Sequence, residues 1–331
     1  MLTAKIIAFN AHAQNSHDFE CNKSLSALKL ASKTVEEVNN NYALGGAMRL
    51  VGYGPLGRER LGVLINGGAA IADLNRADAS IPSTMIEFLS GDFWAKARHV
   101  AASAPAGIVV EAKSVRLGAP VPKPGQIICI GLNYKDHADE QGHAYPESPL
   151  LFGKSPMAAC GPNDDIVYPE GVTQLDYEVE LGVIIGKTAK HVKAADALSY
   201  VAGYCVVHDV SARCCQFGDK QWFRGKSFDT FAPFGPSLVT PDEAGNPHEL
   251  ALSCKVNGVT RQSSNTNNLI HSVDKIIEYI TRGITLQPGD VLATGTPAGV
   301  GVFLKPPQLL NKGDVVELTV QGLGTVINKV V

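Results

Sequence analysis

The sequence predicts a protein of the α+β class. Strand-like segments are numerous, helix-like segments are few, and the two kinds do not alternate regularly along the chain. A doubly wound parallel sheet requires that alternation, so such a fold is disfavoured. The chain has 331 residues, of which 45% are hydrophobic and only 18% are charged. It can therefore bury a large core, as one large domain with a smaller one.

Residues 1–47 differ in composition from the rest of the chain. They contain no Arg, and a weak apolar pattern supports at most one amphipathic helix. A mitochondrial transit peptide is rich in Arg and poor in acids, whereas this segment carries several acidic residues. We expect an accessory or poorly ordered segment, with Met48 as an alternative start. The expected location is the cytoplasm, and the mitochondrial matrix is left open.

Residues 48–120 are predicted to form a small β-rich domain. Asn66-Gly67-Gly68 is typical of a tight turn between two strands. Pro120, Pro122 and Pro124 then mark a linker, because proline cannot donate a backbone hydrogen bond to a sheet. We place a domain boundary there, before the main domain of residues 121–331. The predicted elements of the small domain are strands at 48–54, 59–66 and 69–74 and helices at 84–89 and 92–102.

Residues 121–331 contain the strongest strand patterns. The predicted strands are Gln126–Gly131, Tyr177–Ile185, Gly203–Asp209, Leu250–Asn257, Val291–Thr294 and Val315–Val320. Asn257-Gly258 predicts a hairpin turn. One clear helix is predicted after Ser272, which should act as its N-cap, and Gly283 should end it. Its apolar stripe runs from Val273 to Ile280.

Charge and composition exclude several classes of function. The formal net charge is −3, from 29 Lys and Arg against 32 Asp and Glu, which argues against a nucleic-acid-binding surface. No apolar run approaches the roughly 20 residues of a membrane-spanning helix. The seven cysteines lack metal-binding spacing and are odd in number, which indicates free thiols in a reducing compartment. Cys214-Cys215 should also be free, because a disulfide between neighbours is strained.

Three acidic residues are candidates for a metal site. Glu178 and Glu180 are two apart in a predicted strand, so their carboxylates share a face and repel unless a cation or proton intervenes. Asp209 ends a second apolar strand and could complete a set of oxygen ligands suited to Mg²⁺, Mn²⁺ or Ca²⁺. The alternatives are a solvated strand face for the two glutamates and a turn or helix-cap role for Asp209.

Other polar residues give weaker signals. His137 and Glu140 are three apart on a helical turn, where the glutamate could orient the histidine as a general base. The alternative is a solvated charged turn. Arg213 and Lys226 are surface cations by default. The glycine-rich segment Thr294–Gly301 lacks the ending and the following helix of a phosphate loop, so we interpret it as a tight turn that lines a site.

Five ordered motifs of this chain resemble the fumarylacetoacetate hydrolase superfamily. The resemblance extends from about Met48 to Val331 and leaves residues 1–47 outside. It implies a mixed β-roll catalytic domain, a small β-rich N-terminal domain and a homodimer. The matching stretches are Gly131–His137, Asp176–Gly182, His208–Arg213, Gly225–Thr230 and Thr294–Gly301.

The resemblance also implies roles for individual residues. The histidine and glutamate of the dyad would lie on a lid over the substrate and handle a proton or a water molecule, and the lysine would stabilise an enolate. The implied ligands of Mg²⁺ or Mn²⁺ are Glu178, Glu180 and Asp209. The implied catalytic residues are His137, Glu140 and Lys226. The implied substrate contacts are Arg213, Gln216, Gly295 and Thr296.

The sequence therefore predicts a Mg²⁺-dependent enzyme that acts on small 2-oxo acids through an enolate. Tautomerisation of oxaloacetate and hydrolysis of a C–C bond in acylpyruvates or diketo acids need the same groups, so both reactions stay open. The alternative is a non-catalytic family member that binds 2-oxo acids or another protein. One departure from the family pattern is Cys214-Cys215, which stands where similar members usually carry Asp-Trp.

We expect a chain that starts at Met48 to fold and to keep its activity, because the family resemblance begins there. Circular dichroism, thermal melting and an activity assay on the truncated and full-length proteins check this. Loss of soluble expression on removal of residues 1–47 would show that this segment belongs to the fold.

Overall fold

Short strands make up most of the regular structure between residues 47 and 331, the part of the chain that the computed structural model describes. The prediction for residues 1–47 lies outside this part, apart from Ala47. The strands are β1 (Arg49–Tyr53), β2 (Arg60–Ile65), β3 (Ala70–Asp73), β4 (Val109–Glu111), β5 (Leu117–Gly118), β6 (Ile127–Gly131), β7 (Leu150–Lys154), β8 (Ala159–Cys160), β9 (Leu175–Asp176), β10 (Val179–Ile185), β11 (Val201–His208), β12 (Ser211–Ala212), β13 (Ala232–Val239), β14 (Ala251–Val256), β15 (Val259–Asn265), β16 (Val291–Ala293), β17 (Val315–Val320) and β18 (Gly324–Lys329).

The helices are short and fall between groups of strands. This irregular distribution confirms the predicted α+β class. No helix in residues 47–331 is both long and apolar enough to cross a bilayer. The helices are α1 (Leu74–Ala77), α2 (Met85–Leu89), α3 (Trp94–Ser103), α4 (Lys135–Gln141), α5 (Ala194–Ala197), α6 (Arg213–Gly218), α7 (Trp222–Lys226), α8 (Pro241–Ala244) and α9 (Val273–Thr281).

A large mixed sheet organises the chain. Its main path runs in the order β4-β3-β2-β1-β13-β11-β10-β16-β6-β7, with β5 beside β1 and β8 beside β13. Most neighbours are antiparallel, whereas β16 with β6 and β13 with β8 are parallel. A second sheet has the order β15-β14-β17-β18, and β9 pairs with β12. The predicted hairpin turn joins β14 to β15, where Asn257 and Gly258 have φ values of 50° and 79°, as this type of turn requires.

The two central strands explain the continuous apolar runs of the sequence. Every residue of β10 and of β11 is buried. Both faces of these strands are therefore covered, which accounts for the absence of a simple alternating pattern. The strands pair antiparallel, with Val179 opposite His208 and Glu180 opposite Val207. The start of one strand thus lies beside the end of the other.

The strands of residues 48–120 are part of the large sheet. Strand β1 pairs with β13, so the sheet continues across the proline segment at 120–124. Contacts group residues 47–331 into one compact unit. The domain boundary at residue 120 stays a prediction.

Helix α9 has the predicted apolar stripe but a different cap. Ile276, Ile277 and Ile280 are buried, as expected. Ser272 occupies the N-cap position, yet its side chain makes no capping hydrogen bond, so that part of the prediction is wrong. The backbone N–H of Val273 donates instead to Nε2 of His248, at 3.1 Å. A side chain from another part of the chain satisfies the helix end.

Asp73 ties the first strands to α1. Its buried carboxylate accepts hydrogen bonds from the Tyr53 hydroxyl at 2.6 Å, from the Arg60 guanidinium and from the backbone N–H of Arg76 at 2.9 Å. Burial alone would raise the pKa of Asp73, but the hydrogen bonds from Arg60 and Tyr53 outweigh it, and the pKa is lowered. The ionised carboxylate therefore stabilises the folded state.

We expect Asp73→Asn to lower the free energy of unfolding at neutral pH by about 2 to 4 kcal/mol, because a buried charged hydrogen-bond network loses its centre. Urea unfolding measures the difference, with the exposed Asp92→Asn as control. Since the pKa of Asp73 is lowered on folding, the difference should shrink as the pH falls below about 4, the ordinary value for aspartate. An effect equal to that of Asp92→Asn would contradict the assignment.

Candidate active site

A cavity of about 210 Å³ lies between β10, α4, α6 and the glycine-rich loop. Charged residues, including Glu178, Glu180 and Lys226, form one part of its lining, which we call the floor. Aromatic residues form the other part, the wall. Lys226 lies at the boundary, with Nζ 5.2 Å from the ring centre of Phe152. The charged and polar lining residues include His137, Gln141, Glu178, Glu180, Arg213, Gln216, Lys226 and Thr296. The aromatic lining residues are Phe152, Phe217, Trp222 and Phe303.

The three candidate metal ligands lie close together, and Glu178 and Glu180 line the cavity while Asp209 is buried beside them. Glu178 lies just before β10, Glu180 lies within it, and Asp209 follows β11. The antiparallel pairing of these strands brings them together, and the backbone N–H of Asp209 donates to the carbonyl of Glu178 at 3.1 Å. One carboxylate oxygen from each residue lies within 4.8 Å of the others. All three residues are buried, so the alternative of a solvated strand face is wrong here.

Buried cations hold two of these carboxylates. Lys226 Nζ donates to Glu178 and to Asp209, at 2.8 Å in each case. Arg213 donates to Glu178 at 2.6 Å, and Lys154 Nζ donates to Asp209. Lys226 and Arg213 are each only 2% exposed, so the default of surface cations is wrong. Their burial follows from the carboxylates, because an unpaired charge would not be stable there.

Glu180 differs from its neighbours in its partners. Its side chain accepts a hydrogen bond from the backbone N–H of Gly295 at 2.7 Å, with no cationic side chain bonded to it among residues 47–331. Burial, followed by the charges of Asp209 and Glu178, raises the pKa of Glu180 well above its usual value. Burial also acts on Glu178, but Lys226 and Arg213 outweigh it and lower the pKa of Glu178. Negative charge is thus under-compensated at Glu180.

The residues present fit a hard divalent cation. Three buried carboxylates offer oxygen donors around one point, and Glu180 lacks the charged partner that a buried carboxylate needs. Such a donor set suits Mg²⁺, Mn²⁺ or Ca²⁺ rather than Zn²⁺. The geometry therefore makes the cluster a candidate metal site.

Helix α4 carries the candidate dyad. His137 Nδ1 lies 3.2 Å from Glu140 Oε2, as their spacing of three residues predicts. Glu140 Oε1 also accepts from the backbone N–H of Gly299 at 3.0 Å, which links the helix to the glycine-rich loop. On its other side, His137 Nε2 lies 2.8 Å from Gln141 Nε2. The histidine is buried and faces the cavity, so it is not part of a solvated turn.

Three of the four candidate substrate contacts, Arg213, Gln216 and Thr296, line this cavity, and all four also make hydrogen bonds to other residues of the chain. Gln216 accepts from Arg213 at 2.8 Å. Thr296 donates to the carbonyl of Val179 at 3.0 Å, while the N–H of Gly295 binds Glu180. Gly295 has a φ of 103°, and a Cβ there would lie 2.8 Å from Asn133 Cβ. Glycine is therefore required at this position.

Sequence reasoning missed several residues that support the site. Lys154 gives no local signal, because a lysine that ends a short apolar strand is ordinarily exposed. Asp176 is the first residue of the motif Asp176–Gly182 and is buried, where it accepts from Arg213 at 2.8 Å and from the backbone N–H of Gly301 at 2.9 Å. Gln262 accepts from the N–H of Val179 at 3.0 Å and donates to Thr296 at 2.8 Å. Their partners are distant in sequence.

Comparison with known proteins places the chain in a family. Residues 126–331 match the family described as fumarylacetoacetate (FAA) hydrolase, C-terminal. The chain is similar to "Oxaloacetate tautomerase Fahd2a, mitochondrial" of Rattus norvegicus, with 46% identity over 268 residues, or 80% of this chain and 85% of that one. It is also similar to "Fumarylacetoacetate hydrolase domain-containing protein 2 homolog" of Dictyostelium discoideum, with 43% identity over 307 residues, or 88% of this chain and 99% of that one.

Solved structures agree with this placement. Fumarylacetoacetate hydrolase from Exiguobacterium antarcticum is 38% identical, with a TM-score of 0.73 over 86% of this chain and 99% of that one. The 2-hydroxyhepta-2,4-diene-1,7-dioate isomerase from Mycobacterium marinum is 33% identical, with a TM-score of 0.68 over 86% and 98%. The chain belongs to the fumarylacetoacetate hydrolase family and is an enzyme. The predicted family and its fold are confirmed.

We expect Glu180→Gln to weaken Mg²⁺ binding at least about tenfold, because the change removes a charged ligand and keeps the shape of the side chain. Isothermal titration calorimetry measures the affinity, and the exposed Glu249→Gln is the matched control. Mg²⁺ binding by Glu180→Gln with the affinity of the unaltered protein would place the metal elsewhere.

Proposed function

We propose that this enzyme catalyses keto–enol tautomerisation of small 2-oxo acids of the oxaloacetate type. The observation that carries the proposal is the convergence, in one cavity, of a buried carboxylate cluster, a buried lysine and a buried histidine. The names of similar proteins support this reaction, since the rat relative is called an oxaloacetate tautomerase. The reaction needs a proton moved to and from carbon while negative charge develops on oxygen.

Buried cations supply the electrostatic part of this chemistry. Burial lowers the pKa of Lys226, but the carboxylates of Asp209 and Glu178 outweigh it and raise the pKa, so the side chain remains an ammonium. Its charge faces the cavity and stabilises an oxygen that becomes negative. Glu178, Glu180 and Asp209 would hold Mg²⁺, with Mn²⁺ or Ca²⁺ as alternatives. A cation bound there would favour the enolate by neutralising developing charge.

His137 is the proposed carrier of the proton. Glu140 accepts from Nδ1–H, which leaves Nε2 as the basic nitrogen, and Gln141 donates to that nitrogen. Nε2 can then take a proton from the carbon next to the keto group of the substrate and return it to oxygen or carbon. The ring of Phe303, 5.8 Å from that of His137, helps to exclude water from this side of the cavity.

Hydrolysis of a C–C bond in an acylpyruvate or diketo acid is the second candidate reaction. It uses the same groups, with the His137–Glu140 pair activating water against a second carbonyl. One of the similar solved structures is a fumarylacetoacetate hydrolase from Exiguobacterium antarcticum, and this similarity supports hydrolysis as a candidate. A binding protein without turnover is disfavoured, because the acidic cluster, the lysine and the dyad are all present and close together.

Location and assembly are parts of the same proposal. The names of several mammalian relatives, from Bos taurus and Rattus norvegicus among others, include the word mitochondrial, which favours the mitochondrial matrix over the predicted cytoplasm. We also propose a homodimer, as the family resemblance implies. Size-exclusion chromatography with light scattering tests the dimer. Subcellular fractionation of cells that express the protein tests its location.

Two assays run with and without Mg²⁺ test the proposed function. We expect faster loss of the enol absorbance of oxaloacetate than in buffer, and a weaker or absent release of pyruvate from acylpyruvates. Asp209→Asn should slow the reaction at least about a hundredfold, because a buried group that holds Lys226 and a metal loses its charge. Thermal melting verifies that the variant is folded, and the exposed Asp242→Asn should behave as the unaltered enzyme.

The outcomes separate the candidates. Pyruvate release without enhanced tautomerisation would favour the hydrolase. If neither substrate responds, the assignment to 2-oxo acids is wrong. Calorimetry with Mg²⁺ and oxalate, a stand-in for a chelating enolate, then separates two cases. Binding of oxalate without turnover would indicate a protein that only binds 2-oxo acids, and no binding would indicate an enzyme with other substrates.

A further inference from the structure

The adjacent pair Cys214-Cys215 has no part in the proposed reaction. The six cysteines within residues 47–331 are free thiols, as the sequence predicts, and Cys21 lies outside the described part. Five of the six are buried, whereas Cys214 is partly exposed. The Sγ atoms of Cys214 and Cys215 are 4.0 Å apart. A reagent from solution can thus reach one thiol, and a second thiol lies in contact with it.

The two thiols differ in their surroundings. Cys214 Sγ accepts a hydrogen bond from the backbone N–H of Thr173, at 3.5 Å. Burial raises the pKa of Cys214, but hydrogen bonds from the backbone of Thr173 and Gln174 outweigh it and lower the pKa. Burial, and then the neighbouring Cys214, raises the pKa of Cys215. The exposed thiol therefore has the more nucleophilic surroundings, and the buried thiol remains protonated beside it.

The pair is adjacent in sequence to two residues of the cavity wall. It lies in α6 between Arg213 and Gln216, both of which line the cavity. The guanidinium of Arg213 is fixed by Asp176, Glu178 and Gln216, at 2.6 to 2.8 Å. A change in the first turn of α6 would move these contacts together.

We propose that Cys214 and Cys215 are a reversible oxidation site, at which a peroxide joins the two sulfurs and disturbs the substrate cavity. The thiolate of Cys214 attacks the peroxide, so that an S–O bond forms, the O–O bond breaks, and the leaving oxygen is protonated to water. The sulfur of Cys215 then attacks the sulfenic acid. The S–S bond forms, and the S–O bond breaks with loss of a second water that takes the proton of Cys215.

Two thiols are oxidised by two electrons in total, and one peroxide is reduced to two waters. The sulfurs must approach from 4.0 Å, and only one peptide unit joins the two residues. The first turn of α6 must therefore deform, which makes the bond easy to reduce again. The oxidation chemistry stands apart from the proposed function, whereas the effect on the substrate cavity rests on it.

Peptide mass spectrometry after limited treatment with hydrogen peroxide tests the site. We expect the peptide with both cysteines to lose two hydrogen atoms and to regain them with dithiothreitol. Cys215→Ser should instead stop at the sulfenic acid on Cys214, which a dimedone adduct reports. Cys214→Ser should leave Cys215 unchanged, and the buried Cys254→Ser should behave as the unaltered protein. Oxidation of other cysteines first, or of Cys215 in Cys214→Ser, would overturn the proposal.

Calorimetry with oxalate and Mg²⁺ tests the effect on the cavity. Oxidised protein should bind oxalate at least about tenfold more weakly than reduced protein, and dithiothreitol should restore the affinity. Cys214→Ser treated with peroxide should bind as before treatment. Equal affinities of the oxidised and reduced forms would overturn the link to the cavity. If the reduced protein binds no oxalate, the proposed function fails, and peptide mapping still decides the oxidation site.

Discussion

Buried carboxylates and buried cations share a small volume at the floor of the cavity, and neither set would be stable without the other. Removal of a charge from water is unfavourable by several kcal/mol unless a partner of opposite charge is held in contact. The cations reach the carboxylates from three separate elements, β7, α6 and α7, so the packing of these elements depends on the charge balance. The carboxylates are Asp176, Glu178, Glu180 and Asp209, and the cations are Lys154, Arg213 and Lys226.

The four buried carboxylates outnumber the three buried cations by one. Glu180 is the carboxylate without a bonded cationic side chain among residues 47–331. Its partner is a backbone N–H from the glycine-rich loop, which also receives the side chain of Glu140 at Gly299. The loop therefore links the carboxylate cluster to the helix that carries His137. The backbone N–H groups of Gly295 and Gly299, four residues apart, thus contact both halves of the site. Glu178, Glu180, His137 and Lys226 all line this single small cavity.

Helix α6 gives the site a second link, in this case to the protein surface. Arg213 makes ion pairs with two buried carboxylates, while Cys214, the next residue, is accessible to solvent. Asp and Trp, which similar family members usually carry here, would offer no thiol chemistry, so the proposed oxidation depends on the two cysteines of this chain. The chemistry of the pair is compatible with a reducing compartment, where disulfides are transient and regulatory rather than structural.

The sequence by itself determined the features that depend on local spacing. Glu178 and Glu180 share a face because of the strand period, the dyad follows from helical spacing, and Asn257-Gly258 makes the predicted turn.

The tertiary structure alone decided the features that depend on distant partners. Lys154 meets Asp209 across 55 positions, and His248 replaces Ser272 as a helix cap. Strand β13 contains two prolines, which disfavour a strand, yet it pairs between β1 and β11. Local periodicity in the sequence predicts on which face of a helix or strand a side chain lies. Burial and charge pairing, in contrast, arise only when distant segments pack together.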